Sequence, residues 1–198
     1  MTEEEHRYFI LNKPYNMVSQ FVSSHELPLL CDLDFDFPEG THAIGRLDKN
    51  SEGLLLLTTD KRITRLLFQG EKAHERTYLV QVVHAMTEEH VEKLKNGILI
   101  SGKNDIDYLT QKCKIKIIEK PKNLWESRSP LHTNVSNNWV EITLTEGKFH
   151  QIRKMVNALY YRCNRLIRIS IEGIELGDIA PGEVKEIGEA EFFELLKL

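Results

Sequence analysis

A chain of 198 residues with 41% hydrophobic content can bury a core as one domain or two small subdomains, so it should fold without covalent staples. Its cysteines, Cys31, Cys113 and Cys163, lie far apart with no CxxC pair, which argues against a disulfide framework or a zinc site and for a reducing, cytoplasmic setting. The start "MTEEEHRYFILNKP" is acidic and no apolar run approaches membrane-spanning length, so a soluble, untargeted protein with no membrane partner is expected.

In chain order, "RYFILN" reads as a short strand stopped by Pro14, which cannot donate to a ladder. "LDFDFPEGTHA" reads as a loop. In "TTDKRITRLLFQG", Asp60 suits an N-cap, Ile63, Leu66 and Leu67 form one apolar face, and Gly70 suits the C-terminus of the helix. "TYLVQVV" is a strand. "TEEHVEKLKNG" opens with Thr87, places two glutamates in its first turn and ends at Gly97, a well-signalled helix. "CKIKIIE" and "WVEITLTEG" alternate apolar and polar residues as half-buried antiparallel strands do. Between them, Glu119 to Trp139 is the one long irregular segment, and loops of that length usually bind something or lack order. "HQIRKMVNALYY" sets Ile152, Met155, Val156 and Leu159 at helical spacing, which leaves Arg153 and Lys154 off the apolar stripe. "LIRISI" returns as a strand, and "GEAEFFELLKL" closes the chain with a short helix. Strands and helices mix without a regular βαβ repeat, so the fold class is α+β with a mixed, mainly antiparallel sheet.

The net charge of −4 conceals an uneven distribution. Residues 1–40 and 171–198 each hold eight acidic and two basic side chains, which leaves 22 basic against 14 acidic across residues 41–170. The densest part, "KFHQIRKMVNALYYRCNRLIR" from Lys148 to Arg168, has six Lys and Arg and no acid. A solvated face would account for such a run, but Phe149, Tyr160, Tyr161 and His150 interleave with the cations, as a surface that binds phosphates and stacks bases requires. There is no Walker loop, GxGxxG, HExxH or GxSxG, so cofactor-free or small-substrate chemistry remains. "GRLDKNSEGLLLLTTD" sets Asp48 and a polar turn just before four leucines, where an aspartate either forms the turn or serves as a catalytic group held by the buried element that follows.

Four motifs in order carry a family resemblance: "ILNKPYNMVSQF", "AIGRLDKNSEGLLLLTTD", "RTYLVQV" and "EGKFHQIRKMV". Together they resemble the RsuA branch of the ribosomal-RNA pseudouridine synthases over most of residues 8–170. "DKNSEGLLLLT" and the Trp- and Pro-containing loop before "WVEITLTEG" are most similar to its RluE subgroup. That subgroup often carries Asn-Arg-Gln-Val-Arg-Arg where this chain has "FHQIRKM", a sequence that follows the broader family. Siblings generally bear an N-terminal S4 RNA-binding domain; with the catalytic motif starting at about Phe9, none is expected here.

The resemblance implies one pseudouridine synthase catalytic domain over residues 1–198, divisible into two subdomains around a central cleft flanked by helices. It implies isomerisation of a specific uridine in 23S-type large-subunit RNA, with no cofactor or metal, by a monomer acting on free rRNA or an assembly intermediate. The family's catalytic aspartate falls on Asp48, the aromatic that packs against the target base on Tyr78, the basic partner of the aspartate on Arg153, and an apolar pocket-wall residue on Ile152. Arg46 matches the arginine that in relatives helps replace the flipped base in the stack. Lys148, His150, Lys154, Arg162 and Arg165 of the basic stretch would contact RNA. Chemistry agrees, because breaking a glycosidic bond at an oxocarbenium-like C1′ needs a carboxylate near that carbon, as nucleophile or as electrostatic partner and base. Flipping the uridine out of a helix costs a few kcal/mol, recovered by stacking and phosphate contacts.

Taken singly, Asp48 reads as a turn or capping residue, Tyr78 as a strand aromatic, Arg153 as a solvated helix residue, Ile152 as core filling and Arg46 as a surface charge; their joint order favours the site. Two other functions fit parts of the sequence. A non-catalytic RNA-binding or ribosome-assembly protein on the same fold would need only the basic segment, and a carboxylate-pair glycosidase would need a second acid near Asp48, for which Glu52 is the nearest candidate.

Overall fold

The computed structural model describes residues 6–69, 72–102, 106–126 and 137–198. The chain divides into two compact units: one of residues 1–74 and 168–198, the other of residues 75–167. Both mix strands and helices, as the α+β reading requires.

The first unit is built on β1 (Tyr8–Lys13), which pairs antiparallel with β3 (Glu52–Thr58) on one side and β11 (Val184–Ile187) on the other. Every residue of β1 and of β3 is buried. Successive side chains of a strand point to opposite faces. Tyr8 therefore meets Phe192 of α4 (Glu189–Leu196) at 4.5 Å between ring centroids, while Phe9 meets Phe35 at 5.6 Å and Phe37 at 6.0 Å. Cover on both faces explains why neither "YFILNK" nor "EGLLLLT" alternates. Residues 33–41 form the expected loop, with Phe35 and Phe37 as part of the core's cover, and only its end differs: His42 and Ala43 belong to β2 (His42–Ile44), paired with β3.

Asp60, expected as the N-cap, lies three residues before α1 (Ile63–Gln69) and closes the turn that leads into it: its carboxylate accepts from the Arg62 N–H at 2.9 Å and its carbonyl from the Ile63 N–H at 3.3 Å. The carboxylate is buried, and Arg62 also donates to it through Nε and Nη2 at 2.9 and 2.7 Å. Those bonds hold the Asp60 carboxyl down at about 2 against the opposing effect of burial.

In the second unit, β4 (Arg76–Val83) pairs with β8 (Asn137–Leu144), which pairs with β7 (Lys114–Ile118), all antiparallel. α2 (Glu88–Lys95) and α3 (Gln151–Asn157) cover this sheet with an apolar cluster that includes Val80, Val82, Leu94, Val140, Ile142, Met155 and Val156. Thr87 caps α2 by accepting from the His90 N–H at 3.3 Å. A hairpin of β5 (Leu99–Ser101) and β6 (Asp107–Leu109) follows α2. β9 (Cys163–Ile171) runs from this unit into the first, where β10 (Ile174–Glu175) pairs with it.

Two expected boundaries move. α3 ends at Asn157 rather than near Tyr161, because Tyr160 turns left-handed (φ 64°) and the Tyr161 N–H bonds back to the Val156 carbonyl at 3.0 Å. No glycine marks that stop. The expected irregular segment Glu119 to Trp139 ends earlier, since Trp139 is buried within β8 opposite Gln81 and Ile118; its residues 127–136 lie outside those described. Among the described residues, no helix is long and apolar enough to cross a membrane.

Candidate active site

In the first unit, Asp48 sits on the turn that leads into β3. Gly45, at φ 73°, opens this turn in a conformation that disfavours other residues, and a Cβ there would come within 2.7 Å of the Phe68 ring. The Ser19 hydroxyl then fixes Leu47 twice, accepting from its N–H at 3.0 Å and donating to its carbonyl at 2.9 Å. On the far side, the Asp48 carbonyl accepts from the Ser51 N–H and the Lys49 carbonyl from the Asn16 N–H, each at 2.9 Å. Leu54 to Leu57, all fully buried, anchor the strand that follows. Asp48 itself is half-buried, and Arg46 is exposed.

Beneath the turn lies a lysine that sequence reasoning missed. Lys13 ends β1, is fully buried, and donates to the carbonyls of Pro14 and Met17 at 2.8 and 2.7 Å. Burial pushes its ammonium down to about 7, opposed by the nearby Glu52 and Asp48 carboxylates and reinforced by Arg168. Arg168 is also buried and donates through Nε to the Leu54 carbonyl at 2.7 Å. Glu52, 7% exposed at the first position of β3, thus belongs to a buried charged group with Lys13, and the glycosidase role of a second, substrate-facing acid is not needed to explain it. A charged residue closing a mostly apolar strand, as in "YFILNK", was the signal available.

In the second unit, Tyr78 lies on β4 opposite Ile142 and packs, half-buried, against the apolar cluster to which Ile152 belongs. The structure thus brings Tyr78 and Ile152 to one cluster, and Arg153 follows Ile152 on α3. Arg153 is half-buried and near Cys163: burial pushes that thiol up to about 11, and the Arg153 charge works against the rise. The expected RNA contacts divide by exposure. Lys148 and Arg162 are exposed, His150 and Lys154 half-buried, and Arg165 is buried at 6% exposure within β9.

The segment leading into α3 is tied down by residues that the sequence reading also overlooked. Glu146 accepts from the Tyr108 hydroxyl, from the Gln111 N–H at 2.8 Å and from Gln151 Nε2 at 2.6 Å. Gln151 Oε1 in turn accepts from the Lys148 N–H at 2.8 Å. Among the described residues, no group of three or more His, Cys, Asp or Glu side chains is arranged to hold a metal ion.

Comparison with known proteins gives the family of the chain. A family model described as RNA pseudouridylate synthase matches residues 7–158, three-quarters of the chain, a range that includes Asp48, Tyr78 and Arg153 but not Arg162 or Arg165. The chain belongs to that family. Within it, the chain is 35% identical over 186 residues to the ribosomal large subunit pseudouridine synthase E of Vibrio parahaemolyticus, covering 93% of this chain and 75% of the relative. The protein of that name in Xanthomonas axonopodis pv. citri is 33% identical over 174 residues, covering 87% and 89% of the two chains. A crystal structure of a pseudouridylate synthase superposes with a TM-score of 0.78 at 28% identity, over 99% of this chain and 76% of that one. Family membership gives the enzyme class: an RNA pseudouridine synthase, an isomerase.

Proposed function

We propose that this protein converts one uridine of large-subunit ribosomal RNA to pseudouridine, with Asp48 acting at C1′. The observation that carries the reading is the Asp48 turn, pinned on both sides by hydrogen bonds and anchored by a buried strand, in a chain of this family. The large-subunit substrate follows the names of the relatives from Vibrio and Xanthomonas.

The reaction breaks the N1–C1′ bond, turns the uracil, joins its C5 to C1′, releases the C5 proton to solvent and places one proton on N1, so that substrate and product are isomers. The Asp48 carboxylate supports the positive charge that develops at C1′, as nucleophile or as electrostatic partner and base. The Tyr78 ring packs against the uracil, Ile152 forms the pocket wall beside it, and Arg153 serves as the cationic partner of Asp48. Arg46 takes the place of the flipped base, while Lys148, His150, Lys154 and Arg162 hold the RNA backbone. The buried Arg165 is assigned to holding β9 rather than to a phosphate. The working form is a cytoplasmic monomer that needs no cofactor or metal.

Tritium release from large-subunit rRNA labelled at uridine C5 tests this. Release by the wild type and none by Asp48→Asn, at similar RNA affinity, is expected. Salt-sensitive RNA binding with no release from free rRNA or from assembly intermediates would replace the enzyme with an RNA-binding scaffold.

A further inference from the structure

Phe149 is 73% exposed, yet its ring does not hang free in solvent. It stacks on the His150 ring with centroids 3.9 Å apart and planes inclined by 17°, so one aromatic face is already covered and the ring's orientation is set. Lys154 Nζ lies over the Phe149 ring, 5.6 Å from its centroid, and is itself held by donating to the Ser101 carbonyl at 2.6 Å, so a base reaches the ring beside this cation. Lys148 Nζ, one residue before, lies 4.6 Å over the Tyr108 ring.

The backbone beneath this pair is fixed at both ends. Gln151 accepts from the Lys148 N–H at 2.8 Å, and the Gln151 N–H donates to the Lys148 carbonyl at 3.1 Å, which closes a ring of bonds around Phe149 and His150. His150 is left-handed within it, at φ 54°. Glu146 joins Gln151 to Tyr108 and Gln111. An exposed hydrophobic ring would relax by folding onto the surface; this one is built outward on a braced loop, between two lysines, in a segment of six cations and no acid.

We propose that Phe149, backed by His150, is a stacking platform for an unpaired nucleobase of the substrate RNA next to the target uridine, with Lys148 and Lys154 neutralising the adjacent phosphates. A flat apolar face flanked by cations fits a base and its backbone, and a preset ring loses little conformational freedom on binding. The inference rests on the reading of the substrate as RNA and adds the residue that holds a base outside the reacting pocket.

The test uses the full chain and a large-subunit rRNA transcript. Phe149→Trp introduces an indole whose fluorescence is quenched when a base stacks on it, with the signal of Trp125 and Trp139 in the wild type as background. Quenching beyond that background is expected. Phe149→Ala should raise Kd about 5- to 150-fold, the range for losing one base–aromatic stack, and Phe149→Trp should restore it. The slope of log K against log salt should stay at the wild-type value in Phe149→Ala and fall by about 1 in Lys154→Gln. Quenching no greater than background with a Phe149→Ala Kd within twofold of wild type overturns the platform, as does a rise in Kd accompanied by a lost salt slope. Tritium release reports separately: release with an indifferent Phe149→Ala removes the platform alone, whereas quenching without release leaves the platform and removes the isomerase reading.

Discussion

The Ser19 hydroxyl satisfies both backbone groups of Leu47, although the two residues are 28 positions apart. One side chain thereby fixes the peptide units on either side of Leu47, and the second of these carries Asp48. A buried hydroxyl that both donates and accepts cannot be replaced by water without space for it, so its loss leaves an N–H and a carbonyl unsatisfied.

Ser19→Ala should therefore lower stability by about 1–3 kcal/mol in urea denaturation. It should also slow tritium release at saturating RNA by about tenfold or more while the RNA Kd stays within twofold, since a small displacement of a reacting group is costly. Wild-type turnover in a destabilised Ser19→Ala protein would show that Asp48 does not depend on this bond.

Lys13 sets a dependence on pH. Its folded value of about 7 lies below the ordinary 10.5, so between those values the unfolded chain binds more protons at this site and stability rises with pH. The full slope for one proton is about 1.4 kcal/mol per pH unit. Subtracting Lys13→Met from wild type across pH 7 to 10 should isolate a positive slope; a flat difference would mean that Lys13 keeps its proton when folded.

Asp60 acts in the opposite range. Its folded value of about 2 lies below the ordinary 3.8, so its contribution is complete above about pH 4 and is lost as pH falls through 2. Asp60→Asn should cost about 1–2 kcal/mol at pH 7, because Arg62 is largely exposed, and nothing at pH 1.5. Acid titrations of the two proteins monitored by circular dichroism compare these directly; curves that remain parallel down to pH 1.5 would exclude the ion pair as the source.

For Tyr78 the ring and the hydroxyl separate. If the ring packs on the uracil, Tyr78→Phe should retain release within about tenfold, and Tyr78→Leu should lose a further 5- to 150-fold. Equal losses in the two variants would shift the role to the hydroxyl.

Much of the fold was legible where one face alone is buried. "CKIKIIE" and "WVEITLTEG" alternate because β7 and β8 do, and the Thr87 and Gly97 signals bracket α2. Legibility ended where burial is two-sided or a stop has no glycine. The four leucines of β3 have no period, a segment that reads as a loop does not show that Phe35 and Phe37 pack against Phe9, and α3 stops shortly before a left-handed tyrosine. At the candidate site, motif order singled out Asp48, Tyr78 and Arg153. Ser19 and Glu146, which hold those segments in place, act on Leu47 and on Tyr108 and Gln111, partners brought close only by the fold, so their local sequence carries little trace of it.

The unit that carries Asp48 is assembled from the beginning and the end of the chain, whereas the unit that carries Tyr78 and Arg153 is continuous. During synthesis, residues 75–167 can complete their sheet while β1 still lacks the β11 partner, which is translated more than 170 residues after it. The Asp48 support therefore matures last. A truncation before Val184 would leave one edge of β1 open, and an unpaired edge is a template for pairing with another chain, so incomplete chains would be prone to aggregate before their carboxylate site is built.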